Sequence, residues 1–172
     1  RGGDAIIARG NIRRIEDLAG KKVALLQYTP SDWLLVNALE NSLLSARKRK
    51  TVDIIYINPD EGTAGVRAAF AGGSVDAAVL WEPDTALALK AAPDAHVVYS
   101  TATATNLIYD VMVCDTRTID QHPDAIQAFV AGWMAGVTAA HKDKDQATDA
   151  LSQTEPLFPR RALRRAGGPP WA

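Results

Sequence analysis

The stretch Gly73-Ser-Val-Asp-Ala-Ala-Val-Leu-Trp-Glu-Pro83 decides the fold. A glycine turn leads into a short apolar run, Ala77 to Leu80, that reads as a buried strand. The run ends on an aromatic, a carboxylate and a proline. In an open α/β sheet, ligands bind in the crevice outside the carboxyl ends of the strands. Trp81 and Glu82 stand at such an end.

Strand and helix patterns alternate on either side of this stretch. Upstream, Lys21 to Gln27 is a strand entering from solvent, and Tyr28-Thr-Pro-Ser-Asp32 is a loop. Ser31 or Asp32 is the expected N-cap of a helix running to about Leu44, with Leu35, Leu39 and Leu43 on one stripe. The basic run Arg47-Lys-Arg-Lys50 reads as a solvated loop, since one short run is a weak nucleic-acid signal. Val52 to Ile57 is a strand with alternating and β-branched residues, turned by Asn58-Pro59. Glu61 to Ala71 is a helix with Val66 and Phe70 facing inward, closed by Gly72-Gly73.

Downstream, Asp84 to Ala92 is a short helix and His96 to Tyr99 a strand. At the start of the chain, Asp4 to Ala8 is a strand. Asn11 to Leu18 is a turn or short helix, stopped by Gly20. This alternation predicts an α/β fold with a mostly parallel sheet covered on both faces. Asn106 to Asp115 reads as a further strand. Pro123 opens a long helix at a position where its missing N–H costs nothing. Ile126, Phe129, Val130, Trp133 and Val137 form an apolar stripe along it. A second helix spans Lys144 to Gln153. The tail, Pro156 to Ala172, is rich in Pro, Gly and Arg and is expected to be poorly ordered.

Composition narrows the function. The 172 residues are 47% apolar and 23% charged, an ordinary globular balance. The net charge of -1 gives no overall pull toward nucleic acid or membrane. One cysteine, Cys114, rules out an intrachain disulfide and a thiolate metal site; it sits in the apolar run Val111 to Cys114 as a small core residue. No apolar run is long enough to span a bilayer. His96, His122 and His141 lack metal-ligand spacing. No phosphate loop, dinucleotide fingerprint or nucleophile elbow is present, so the residues imply no cofactor, no metal and no catalytic constellation.

Binding chemistry is more legible. The Tyr28–Asp32 loop opens a helix after a strand, and the free N–H groups and dipole of such a start favour an anion. Thr29 and Ser31 are candidates for ligand contact or for plain capping. Asp32 would cap the helix and oppose a bound anion. Trp33 is either a cleft wall or core. Glu82 either accepts from an amine or hydroxyl of a ligand or caps the helix at Pro83.

The glycine turn, Val75-Asp-Ala-Ala-Val79 and Trp81-Glu-Pro83 together resemble the second lobe of type II periplasmic solute-binding proteins. The similarity is to the NMT1/THI5-like branch that binds sulfonates, taurine, nitrate or thiamine precursors for ABC importers. The resemblance implies two α/β lobes joined by two crossing strands. It assigns residues 1–11 to a crossing strand and hinge, 12–104 to the complete lobe 2, and 105–155 to the return strand and C-terminal helices of lobe 1. Residues 156–172 form the tail. The first part of lobe 1 is expected to be lost or supplied by another chain.

The resemblance also implies a small-molecule ligand in an interlobe cleft, an ABC permease as partner, and a periplasmic or lipid-anchored extracytoplasmic location. It places Tyr28, Thr29, Ser31, Trp33, Trp81 and Glu82 at the cleft. Asp4, Tyr109 and Asp110 are placed near the hinge, in backbone pairing or ligand contact. A sensory or interaction module, and an enzyme of the thiamine-pyrimidine or menaquinone type, are the alternatives. Loss of lobe 1 would uncover the Pro123 helix, so self-association through Ile126, Phe129 and Trp133 is expected.

Overall fold

Two buried clusters, one on each face of a five-stranded sheet, form the core. The computed structural model describes residues 2–104 and 106–154. The predicted tail lies outside them. The chain divides into two units, Arg1–Ile108 and Tyr109–Ala172.

The first unit carries the sheet. Its strands are β1 (Asp4–Arg9), β2 (Lys22–Leu26), β3 (Asp53–Ile57), β4 (Ala77–Trp81) and β5 (Ala95–Ser100), in the spatial order β3-β2-β4-β1-β5. β2 runs parallel to β3 and to β4, whereas β1 runs antiparallel to β4 and to β5. Four strands therefore point one way and β1 points against them. β1, assigned by resemblance to a crossing strand, is paired on both sides inside the sheet.

Alternation along each inner strand feeds both faces, as the pleat requires. Ile6, Val23, Leu25 and Val79 enter one cluster, joined by Leu34, Leu35 and Leu39 of α1 (Pro30–Glu40). Ile7, Leu26 and Leu80 enter the other, with Val66 and Phe70 of α3 (Gly62–Ala71) and Ala88 of α4 (Asp84–Ala91). Each fully buried large side chain contributes about 1.5–3 kcal/mol. α1 thus covers one face, and α3 and α4 the other.

Several local expectations change. α1 is capped at Thr29, with Pro30 as its first residue; a proline there already has a suitable φ, which moves the start ahead of Ser31 and Asp32. The helix ends at Glu40, so Leu43 leaves the stripe and is 90% exposed, while Leu44 is buried in its place. The basic run is a one-turn helix, α2 (Ala46–Arg49), because the Ser45 hydroxyl accepts from the Lys48 N–H at 3.4 Å. Its cations remain largely solvated.

The second unit is helical: α5 (Thr116–Gln121), α6 (Pro123–Lys142) and α7 (Lys144–Thr154). The strand expected over 106–115 does not form. A strand needs a neighbour to take its N–H and C=O groups, and this segment joins no ladder among the described residues. Tyr109, Val111 and Val113 are exposed along it. No residue of α6 is buried. No helix among the described residues is long and apolar enough to cross a membrane.

Candidate functional site

β2 and β4 are neighbours with parallel register, Val23 beside Ala77. The chain leaves β2 into α1 on one face and leaves β4 into α4 on the other. Two adjacent parallel strands whose connections depart to opposite faces leave a crevice at their carboxyl ends. This edge of the sheet is the candidate site.

Its residues follow from the strand ends. Tyr28, Thr29 and Ser31 come directly after β2. Trp81 closes β4 and pairs with Asp4, the first residue of the reversed β1. The Glu82 N–H donates to the Gly3 carbonyl at 2.8 Å. Tyr56 lies near the end of β3, in register with Leu25. The sequence candidates of the first unit (Asp4, Tyr28, Thr29, Ser31, Trp33, Trp81 and Glu82) therefore stand along one edge. Tyr109 and Asp110 fall in the second unit, both exposed, on the segment before α5.

The start of α1 is built in detail. The Thr29 hydroxyl donates to the Leu26 carbonyl at 2.7 Å and makes no cap bond to the helix. Asp32 accepts from the Tyr28 N–H at 3.3 Å, drawing the loop onto the first turn. Tyr28 has φ 60°, a left-handed conformation uncommon for a bulky residue, and its side chain is 90% exposed. Trp33 is 53% exposed, which removes it from the core. Ser31 is fully buried, and its hydroxyl has no hydrogen-bond partner. At the second helical position its N–H has no intrahelical acceptor either.

α4 repeats the arrangement. Thr85, also second in its helix, is buried with an unpartnered hydroxyl. Asp84 is held by Thr63 and Arg67 of α3, one carboxylate oxygen to each. Glu82 accepts from the Ala86 N–H at 3.2 Å, so it caps α4. Burial raises the Glu82 pKa above the usual carboxylate range; the Ala86 N–H opposes that shift and the neighbouring Asp84 adds to it. Trp81 is half-buried against the second core cluster.

Sequence reasoning passed over Tyr56, Thr85 and the Thr63–Asp84–Arg67 link. The end of an alternating strand marks Tyr56, and the residue after Asp84 marks Thr85. Nothing in the spacing of Thr63 and Arg67 announces their shared partner. Among the described residues no group of His, Cys, Asp or Glu could hold a metal ion.

Comparison with known proteins agrees with this architecture. The aliphatic sulphonate binding protein SsuA of Escherichia coli superposes with a TM-score of 0.79 at 24% identity, covering 98% of this chain and 56% of that one. SsuA of Xanthomonas axonopodis pv. citri, bound to MOPS, gives 0.69 at 24% identity with the same coverage. A ligand-binding component of an ABC-type import system from Staphylococcus aureus gives 0.60 at 17% identity, covering 97% and 56%. The chain thus spans little more than half the length of these structures, which share its fold. No curated protein matches it. The NMT1/THI5-like family model matches residues 4–147, and the chain belongs to that family.

Proposed function

We propose that this chain is the ligand-binding lobe of a solute-binding protein serving an ABC importer. A small polar ligand, anionic and sulfonate-like or amine-bearing, sits at the carboxyl edge of β2 and β4. No bond is made or broken. Specificity comes from a few polar groups in a largely preformed crevice, and capture comes from closure against a second lobe.

One observation carries the reading: the crevice between the starts of α1 and α4, each with a buried, unpartnered hydroxyl at its second residue. Leaving such a hydroxyl unbonded costs about 1–3 kcal/mol, and a polar ligand would recover part of that cost. Family membership and the solute-binding roles of the superposed proteins support the same role. A permease partner and a periplasmic or lipid-anchored location come with it. So does self-association through Ile126, Phe129 and Trp133, the last two of which are exposed on α6.

Native mass spectrometry of the purified chain, followed by denaturation of the same sample, tests the proposal. A small molecule retained natively and released intact is the expected result. A retained molecule released chemically altered would instead favour the biosynthetic enzyme reading. An oligomer retaining nothing would favour an interaction module.

A further inference from the structure

The stretch Ile108-Tyr-Asp-Val-Met-Val-Cys114 has the composition of a strand and no ladder. Leu107 and Ile108 pack against the first core cluster. Beyond them the chain runs to Asp115 without turn or bend, and Asp115 is itself extended, with φ -72° and ψ 148°. From Tyr109 to Cys114 no backbone N–H or C=O is bonded to another backbone group among the described residues. Tyr109, Val111, Met112 and Val113 each expose more than half of their surface. Asp110 is the single charge of the stretch, which holds neither glycine nor proline. The devices that keep open strand edges apart are therefore nearly absent, and both the backbone and the apolar side chains are left for a partner strand.

A second copy of the same stretch fits it in one register. In an extended chain Tyr109, Val111 and Val113 share one face, and Asp110 and Met112 the other. Antiparallel pairing about Val111 sets Val111 against Val111, Tyr109 against Val113 and Asp110 against Met112. The whole apolar face then meets itself in aromatic–β-branched and β-branched pairs, which favour a sheet. The two Asp110 carboxylates stay apart. Parallel pairing in register, or antiparallel pairing about Asp110, would set them directly opposite, which is destabilising.

We propose that two copies of this chain associate by antiparallel pairing of residues 109–113, with Val111 on the two-fold axis. This contact is independent of solute binding and is additional to the α6 face.

Cysteine cross-linking of the purified chain tests the register. Both probes carry Cys114→Ser, which removes the native thiol. Residues facing themselves across an antiparallel pair have Cα atoms about 4.5–5.5 Å apart, within the reach of a disulfide. Val111→Cys should therefore oxidise to a covalent dimer. Asp110→Cys, displaced two residues from its own mate, leaves its Cα atoms about 8 Å apart, too far to bridge, and should give several-fold less. Both positions are exposed, so neither change should disturb folding. Proline at Val111 and, separately, at Met112 tests the pairing without a disulfide. Bonded and unbonded pairs alternate along an antiparallel ladder, so one of the two removes an N–H from both copies and should weaken self-association about tenfold in sedimentation. Equal cross-linking at 110 and 111, or none at 111, overturns the register. Unchanged sedimentation of both proline variants, or a monomeric native chain, overturns the strand contact. Loss of association in Phe129→Ser with Trp133→Ser but in neither proline variant assigns the contact to α6 alone and overturns it as well.

Discussion

Phe70 and Phe129 each stand on the apolar stripe of a helix, and their fates are opposite. Phe70 of α3 is fully buried against the sheet, whereas Phe129 of α6 is 56% exposed and stacks on Trp133, with ring centroids 6.5 Å apart. Helical periodicity fixes which residues share a face. It does not supply the surface that covers the face. α3 has β2, β3 and β4 beneath it; α6 buries none of its residues.

The widest separation should come from truncating the two rings. Phe70→Ala is expected to cost about 3–5 kcal/mol, while Phe129→Ala stays within about 0.5 kcal/mol; chemical denaturation of both variants measures the gap. Comparable losses would mean that α6 is covered in solution.

Arg9 sharpens the contrast from the buried side. Its guanidinium pairs with Asp94 at 2.7 Å, donates to the Phe70 and Ala71 carbonyls at 2.8 and 3.1 Å, and lies 4.9 Å from the Phe70 ring centre. It closes the C-terminal end of α3. Arg9→Met keeps the apolar stem and should cost about 1–3 kcal/mol by the same denaturation.

On the exposed side, Phe129→Ser combined with Trp133→Ser should leave stability unchanged and weaken self-association about tenfold. Sedimentation across micromolar concentrations reads it, and an unaltered distribution would show that α6 is not the contact.

The smallest effect belongs to Glu82. Its folded pKa is raised, chiefly by burial. The folded state therefore holds the proton to higher pH than the unfolded chain does. Stability falls as pH rises from the unfolded glutamate range through the folded value. Glu82→Gln keeps an acceptor for Ala86 and should remove that decline, a gain below about 1 kcal/mol after solvent screening. Between pH 4 and pH 7, taken as approximate brackets of a carboxylate, the gain in midpoint should be smaller in the native protein than in the variant, since the lowered Glu16, Asp17 and Asp115 carboxyls act equally in both.

The same contrast explains what the sequence made legible. Every strand of the first unit was readable because the apolar runs are short, bounded by glycine or proline, and paired with strands the chain itself provides. The segment over 106–115 has the composition of a strand too, but composition cannot provide a neighbouring ladder. The site was legible as an edge, since strand ends and helix starts are local signals. Its bonding was not. Whether Glu82 caps a helix or Ser31 stays unpartnered depends on a residue's position within the first turn, and a two-residue shift in the cap, from Ser31 to Thr29, exchanges those roles. The Asp84 link to Thr63 and Arg67 depends on how two helices pack, which no spacing encodes.

β1 gives the order of assembly. Asp4 pairs with Trp81, and Ala5 with Ser100, so β1, made before either neighbour, finds these partners only when β4 and β5 have been made. Until then Ala5–Ala8, fully sequestered in the finished sheet, is an apolar segment without a mate. The β2–β3 pair closes over a shorter loop and can form earlier. A nascent chain would therefore hold β1 in waiting, the condition in which unpaired strands are most prone to wrong association.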